Sequence, residues 1–150
     1  MECKERCSIR VFLVDDHLQF IEAAARFLTA DPNIEIVGQA LSGRDALKQI
    51  SLLHPDLVLM DLAMPEIDGL EATRRIKAQP SSPHVIIVTF YDNLEYREAA
   101  KDAGADGFIA KLDFTSQLLP LVYALVTQPA RAGTEICPSP LGSNEGPPNE

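Results

Sequence analysis

The sequence predicts an α/β fold, in which a five-stranded parallel sheet is doubly wound with helices on both of its faces. Three continuous β-rich apolar runs, at 11–14, 57–60 and 85–88, suit strands that are covered on both sides. Between these runs the apolar residues take the three- and four-residue spacing of helices. Apolar residues make up 46% of the 150-residue chain, which is enough for the core of one ordinary domain.

Each strand and helix is predicted from a local pattern. The strands are predicted at residues 11–14, 34–36, 57–60, 85–88 and 108–109. The helices that follow them are predicted at residues 18–28, 46–53, 70–77, 94–103 and 118–125. Ile34 and Ile36 alternate with polar neighbours, so the second strand is expected to be shorter and nearer the sheet edge. Ser42 and Asp45 have the spacing of a capping box, and Gly104 is predicted to end the fourth helix in a left-handed conformation.

The composition of the chain changes near residue 128. Residues 128–150 are rich in proline, glycine and serine and have no apolar period. Such a segment buries too little surface to offset the entropy of ordering it, so a disordered tail is predicted there. Residues 1–7 are predicted to be a flexible N-terminus, which leaves residues 8–127 as the folded domain.

Charge and hydropathy exclude several classes of function. The chain carries 22 acidic residues against 13 lysines and arginines, a formal net charge of −9, so direct binding to a DNA backbone is not expected. No apolar run approaches the length of about 18 to 20 residues that a membrane span needs, and residues 1–10 have no apolar segment after them, so no secretory signal is expected. The chain has three cysteines, an odd number that predicts no disulfide framework and favours a reducing, cytoplasmic location.

Chemically reactive side chains follow the predicted strands where each strand ends. Asp15 and Asp16 follow the first strand, Asp61 the third, Thr89 the fourth and Lys111 the fifth. In such a sheet the ligand crevice lies outside the carboxyl ends of the strands, so these side chains are expected to converge. Three close carboxylates repel one another unless a cation joins them, and Mg²⁺ is the hard divalent ion that suits carboxylates and water. One Mg²⁺ and one lysine together balance the three negative charges.

Two other kinds of site need residues that this chain lacks at the same positions. An FMN site of the flavodoxin type needs a loop rich in serine, threonine or glycine after the first strand, whereas residues 15–20 read DDHLQF. A phosphatase of the haloacid dehalogenase type needs a second aspartate two residues beyond its nucleophile, where this chain has Ala63. One of the paired aspartates, Asp15 or Asp16, can also cap the first helix. His17 beside them is expected to be a surface residue of that helix.

Four separated motifs occur in order along the chain: VFLVDDHLQF, PDLVLMDLAMPEIDGLEATRRIK, VTF and GADGFIAK. Together they resemble the receiver domain of two-component response regulators and are most similar to the LuxR-type, helix-turn-helix class. The resemblance covers about residues 9–127. It implies a flavodoxin-like sheet with strand order 2-1-3-4-5 and a signalling phosphoacceptor rather than a conventional enzyme. The resemblance stops before residues 128–150, so no DNA-binding output domain is expected in this chain.

The resemblance implies a role for each residue at the predicted strand ends. Asp61 is the expected phosphoacceptor, whose carboxylate takes a phosphoryl group from a phosphohistidine. Asp16 is expected to bind Mg²⁺ directly and Asp15 through water. Asp61 and the backbone carbonyl of Ala63 complete the expected protein ligands. Lys111 is expected to pair with the phosphoryl group.

The resemblance also implies a conformational switch and its partners. The Thr89 hydroxyl is expected to bond a phosphoryl oxygen, and Phe108 is expected to swing inward when Thr89 moves. The expected partners are a sensor histidine kinase and an unidentified output protein that contacts about residues 93–127, and a phosphorylation-dependent dimer is a further expectation. The alternatives are a phosphate sink without an output partner and the receiver fragment of a DNA-binding transcriptional regulator.

Phe90 departs from the family pattern, because the residue after the switch threonine is usually small. Its ring is expected to narrow the route by which a small phosphodonor or an attacking water reaches Asp61. The alternative is that Phe90 points away from the crevice and packs against a helix.

Overall fold

The computed structural model describes residues 8–126, in which five strands alternate with five α-helices. The strands are β1 (Ile9–Val14), β2 (Ile34–Ala40), β3 (Leu57–Met60), β4 (His84–Thr89) and β5 (Gly107–Ala110). The helices are α1 (Leu18–Thr29), α2 (Gly43–Leu53), α3 (Gly69–Lys77), α4 (Leu94–Ala103) and α5 (Phe114–Val126), with a 3₁₀ turn at Lys111–Asp113. Each predicted strand and helix is present. The predicted flexible N-terminus at 1–7 and disordered tail at 128–150 lie outside the described residues.

The five strands form one parallel sheet in the order β2-β1-β3-β4-β5, which confirms the predicted α/β architecture. β2 lies at the edge as expected, but the prediction that it is short was wrong, since it has seven residues. It pairs with β1 from Ile34 to Ala40, and the register shifts between Val11 and Phe12 of β1. Beyond this irregularity, β1 and β2 remain paired from Gly38 to Ala40, although the alternation of apolar and polar residues in β2 ends at Ile36.

Alternating side chains of the strands belong to two separate hydrophobic cores, one on each face of the sheet. In β1, Val11 and Leu13 belong to the core beneath α1 and α5, whereas Phe12 and Val14 belong to the core beneath α2, α3 and α4. Because β3 and β4 are buried on both sides, residues 57–60 and 85–88 are apolar at every position, as the sequence runs predicted. This arrangement aligns the carboxyl ends of β1, β3, β4 and β5 along one edge of the sheet.

The ends of two helices confirm local predictions. The Ser42 hydroxyl oxygen accepts a hydrogen bond from the Asp45 N–H at 3.2 Å, as the capping-box spacing predicts. Gly104 ends α4 with a φ of 101°, a left-handed conformation that favours glycine. Among residues 8–126, no helix has the length and apolar character to cross a membrane.

Asp106, in the turn before β5, joins α3 to the sheet. Its Oδ2 accepts hydrogen bonds from the Lys77 ammonium and from the Val85 N–H, both at 2.9 Å, and its own N–H donates to the Val85 carbonyl at 2.7 Å. Burial raises the pKa of this carboxyl, but the nearby His84 imidazole and the hydrogen bonds from Lys77 and Val85 outweigh burial and bring the pKa down to about 2. The ionised carboxylate therefore stabilises the junction between α3, β4 and β5.

We expect Asp106→Asn to lower the free energy of unfolding by about 2 kcal/mol at pH 7. Because the carboxyl has a lower pKa in the folded chain than its ordinary 3.8, its stabilising effect is complete above about pH 5 and is lost as the pH falls toward 2. The difference between variant and wild type should therefore shrink at pH 3. Urea unfolding at pH 7 and pH 3 measures this difference in the free energy of unfolding. Asp102→Asn, at an exposed position of α4, is the control. An equal loss at both pH values would contradict this account.

Candidate functional site

The polar residues predicted at the strand ends do converge at the carboxyl edge of the sheet. Asp15 follows β1, Asp61 follows β3, Thr89 ends β4 and Lys111 follows β5. All four side chains are buried, with exposed fractions from 0% for Thr89 to 7% for Lys111. Because β1 and β3 are neighbours in the sheet, the two aspartates lie side by side.

Lys111 bridges the two buried aspartates. Its Nζ lies 2.6 Å from Asp15 Oδ2 and 3.4 Å from Asp61 Oδ1. A buried ammonium without such partners would lose its hydration without any compensating interaction with a negative charge. The contact with Asp15 is the shorter one, so Asp61 is the less fully neutralised carboxylate of the pair.

The pKa of Asp61 reflects this incomplete compensation. Burial is the largest cause that raises it, the negative charge of Asp15 raises it further, and Lys111 opposes both. The result is a rise from 3.8 to about 6. A second positive charge close to Asp61 would therefore relieve an electrostatic penalty that the protein alone leaves in place.

Asp16 and His17 extend the cluster toward solvent. One ligand atom from each of Asp15, Asp16, His17 and Asp61 lies within 4.8 Å of all the others. Oxygen donors from three carboxylates suit a hard divalent cation, so this donor set fits the Mg²⁺ that the sequence predicts. Neither aspartate caps the helix: His17 is the N-cap residue of α1, with no side-chain cap, and Asp15 Oδ1 accepts the His17 N–H at 2.8 Å.

The loop after β3 is held close to Asp61 by a glycine. A Cβ at Gly69 would lie 2.1 Å from the carbonyl oxygen of Asp61, so no larger residue fits without movement of the backbone. The Gly69 N–H donates to the Leu62 carbonyl at 2.8 Å and joins the start of α3 to this loop. Ala63 lies exposed in the same loop. The ligand role expected for its carbonyl stays a prediction.

Thr89 and Phe108, the residues of the expected switch, lie on β4 and β5. Thr89 is fully buried, and its Oγ1 accepts a hydrogen bond from the Tyr91 N–H at 3.1 Å. Phe108 is half-buried, and the Arg97 guanidinium lies 4.7 Å from the centre of its ring. Arg97 also pairs with Asp92 at 2.7 Å, so α4 and the loop before it hold a cation over Phe108.

Two aromatic rings flank the Lys111 ammonium. The ring centre of Phe20 lies 4.4 Å from Nζ and that of Phe90 lies 4.8 Å away, both within the range of cation–π attraction. Phe90 is 63% exposed and lies over the site, so the alternative in which it points away and packs against a helix does not hold. Sequence reasoning missed Phe20, whose ring also contacts Phe114 edge-on at 5.3 Å, although its position one turn into α1 could have indicated it.

Sequence reasoning also missed the position of His17. Its Nδ1 lies 3.1 Å from Asp15 Oδ1 and 3.1 Å from Asp16 Oδ1. The side chain is exposed, as predicted for a surface residue, but its imidazole also lies beside the acidic cluster. Its place directly after the aspartate pair was the available signal.

A sheet of this order with an aspartate and lysine site at its carboxyl edge is the architecture of a phosphoacceptor signalling domain. Residues 11–122 match the response regulator receiver domain family. The chain therefore belongs to this family.

Among curated proteins, the chain is 38% identical over 112 residues to the response regulator protein VraR of Staphylococcus saprophyticus, covering 73% of this chain and 53% of that protein. It is 34% identical over 116 residues to the transcriptional regulatory protein LiaR of Bacillus subtilis, covering 77% of this chain and 55% of that protein. The chain thus spans about half the length of these relatives.

Solved structures agree with this membership. A two-component response regulator of the LuxR family from Aurantimonas sp. superposes with a TM-score of 0.76 at 29% identity, over 80% of this chain and 86% of that one. A DNA-binding response regulator of the LuxR family from Staphylococcus aureus gives a TM-score of 0.73 at 25% identity, over 77% of this chain and 97% of that one.

We expect Asp61→Asn to stabilise the metal-free protein at neutral and alkaline pH. Because the pKa of Asp61 is raised to about 6 in the folded chain, its ionised form opposes folding above pH 6 and this cost disappears below about pH 4. The substitution should raise the free energy of unfolding by about 3 kcal/mol at pH 8 and by little at pH 4. Urea unfolding in the presence of a chelator measures the gain, and Asp102→Asn is again the control. A gain that does not change with pH would contradict the electrostatic explanation.

Proposed function

We propose that this chain accepts a phosphoryl group on Asp61 from the phosphohistidine of a sensor histidine kinase and signals by a change of conformation. The observation that carries the proposal is the buried Asp61 carboxylate, with a pKa raised to about 6, within reach of Lys111 and two further aspartates. Membership of the receiver domain family supports the same function. The alternative of a phosphate sink uses the same chemistry and differs only in lacking an output partner.

The transfer needs one nucleophile and a site that tolerates added negative charge. An oxygen of the Asp61 carboxylate attacks the phosphorus, and the O–P bond forms as the P–N bond breaks. The imidazole nitrogen of the kinase leaves with the electron pair and takes up a proton from solvent. Lys111 is already 3.4 Å from Asp61 Oδ1, so its ammonium is placed to pair with the new phosphoryl oxygens.

The residues that would hold Mg²⁺ are Asp15, Asp16, Asp61 and the carbonyl of Ala63. When bound, the ion would neutralise negative charge on the carboxylates and on the phosphoryl oxygens. Asp16 is the exposed carboxylate of the cluster, whereas Asp15 already accepts from Lys111 and from the His17 N–H. This difference supports direct ligation by Asp16 and a water-mediated contact by Asp15.

The switch would proceed from Thr89 to Phe108. A phosphoryl oxygen offers the Thr89 hydroxyl a new acceptor and so draws it toward Asp61. When the Thr89 side chain moves, it opens space beside β4 for the Phe108 ring. The ring would turn inward into this space and lose its contact with the Arg97 guanidinium. We propose that output proteins, or a second phosphorylated copy, contact residues 93–127, where Leu94, Tyr96 and Leu112 are exposed.

We expect phosphorylation to depend on Asp61 and on Mg²⁺. Incubation with a labelled phosphorylated kinase should label wild type and Asp102→Asn, and the label should be lost in alkali, as an acyl phosphate requires. Asp61→Asn should take up no label. Asp16→Asn should need a higher Mg²⁺ concentration for the same rate, since it removes one proposed ligand. Alkali-stable label, or label that persists on Asp61→Asn, would contradict the proposal.

We expect Phe90→Ala to speed both phosphorylation by acetyl phosphate and loss of the phosphoryl group by about tenfold, which is about 1.4 kcal/mol in the barrier. The physical reason is that the ring covers the Lys111 ammonium from the solvent side and narrows access to Asp61. Tyr91→Ala is the matched control, because its ring is also exposed but contacts Tyr96. Both rates and the thermal midpoint should be measured. Unchanged rates with a lowered midpoint would show that Phe90 has only a packing role.

A further inference from the structure

We infer that His17 supplies a nitrogen ligand to the divalent-ion site and thereby raises its affinity for transition-metal ions such as Ni²⁺ and Zn²⁺ without raising its affinity for Mg²⁺. The inference rests on the proposed function, because it takes Asp15, Asp16 and Asp61 as the residues that hold the ion. It goes beyond that function by assigning a ligand role to His17 and a metal preference to the site.

The distances around His17 fit a common ligand sphere. In an octahedral site with bonds of about 2.1 Å, adjacent ligand atoms are about 3.0 Å apart. The His17 Nδ1 lies 3.1 Å from Oδ1 of Asp16, the proposed direct ligand, and its 3.1 Å contact with Asp15 Oδ1 is a hydrogen bond whose proton Nδ1 gives up when it binds an ion. Asp61 offers a further oxygen within 4.8 Å of these atoms. The imidazole nitrogen therefore has the spacing of a ligand adjacent to the Asp16 carboxylate.

The start of α1 fixes the backbone of His17. Its N–H donates to Asp15 Oδ1 at 2.8 Å, and its carbonyl accepts from the N–H groups of Phe20 and Ile21 at 3.0 and 3.2 Å. Its side chain remains 66% exposed, so coordination of the ring by an ion involves little loss of core packing. The position of Nδ1 therefore follows from local backbone structure rather than from burial of the ring.

The chemistry of the nitrogen donor sets the direction of the preference. Mg²⁺ takes oxygen ligands and retains several waters, whereas imidazole suits Ni²⁺, Zn²⁺, Cu²⁺ and iron. Of the three histidines, His54 ends α2 and His84 begins β4, so neither lies at the carboxyl edge of the sheet. Within residues 8–126, His17 is the histidine that joins the acidic cluster.

The variant His17→Asn tests whether a nitrogen donor at this position matters, because it replaces that nitrogen with an oxygen donor. The asparagine Oδ1 takes the place of the imidazole Nδ1, and asparagine is a favoured N-cap residue, so α1 should keep its start. His54→Asn is the matched control, because asparagine tolerates the left-handed backbone that His54 adopts, with a φ of 50°. All proteins should carry serine at the three cysteine positions 3, 7 and 137, since thiolates bind the same ions.

Calorimetric titration of the full-length chain with NiCl₂ and with MgCl₂, at one fixed pH, gives the ratio of the two affinities. We expect His17→Asn to lower the Ni²⁺ affinity by about 10- to 100-fold, the range that loss of a group supporting a metal ligand costs. The Mg²⁺ affinity should stay within about twofold, and His54→Asn should match wild type. In nitrogen-15 spectra, ZnCl₂ should shift the Nδ1 resonance that His17→Asn removes.

An unchanged ratio in His17→Asn, or an equal loss for both ions, would overturn the inference, because His17 would then have no role as a nitrogen ligand. Asp16→Asn separates this result from failure of the proposed function. If both ions bind through Asp16 and the ratio is insensitive to His17, the inference alone fails. If neither ion depends on Asp16 and Asp61 takes up no label, the proposed function fails as well.

Discussion

The buried contact of Lys111 with Asp15 and Asp61 is the interaction on which the site depends. Burying any of these charges alone would cost several kcal/mol, so each requires the others to be in place. The three residues follow strands that are far apart in sequence, and the 2.6 Å contact between Lys111 and Asp15 joins the segments after β1 and β5, the first and last strands in chain order. The pairing leaves Asp61 incompletely neutralised, which is the electrostatic state that a phosphoacceptor and a cation site both need.

The surrounding residues hold these charges in position and contact them directly. Gly69 lets α3 begin against the carbonyl of Asp61, which fixes the loop after β3. The rings of Phe20 and Phe90 lie 4.4 and 4.8 Å from the Lys111 ammonium, and Phe20 in turn contacts Phe114 of α5. The site is thus coupled by direct contacts to α1, α5 and the loop after β4.

Local patterns predicted the fold well because each acts within a few residues. The capping box of Ser42 and Asp45, the left-handed Gly104 and the apolar runs of the inner strands needed no distant partner to be recognised. The length of β2 could not be predicted from a local pattern. Its second half is set by pairing with β1 across an irregular register, and a pairing partner is not visible in the local alternation of residues.

The sequence by itself determined which residues stand at the strand ends, because motif order and strand polarity place Asp15, Asp61 and Lys111 at one edge. Only the tertiary structure decided which atoms meet there. That Lys111 contacts Asp15 more closely than Asp61 depends on rotamers chosen by packing between separate elements. Rotamers of this kind depend on how side chains distant in sequence pack together, so they cannot be predicted from the spacing of residues along the chain.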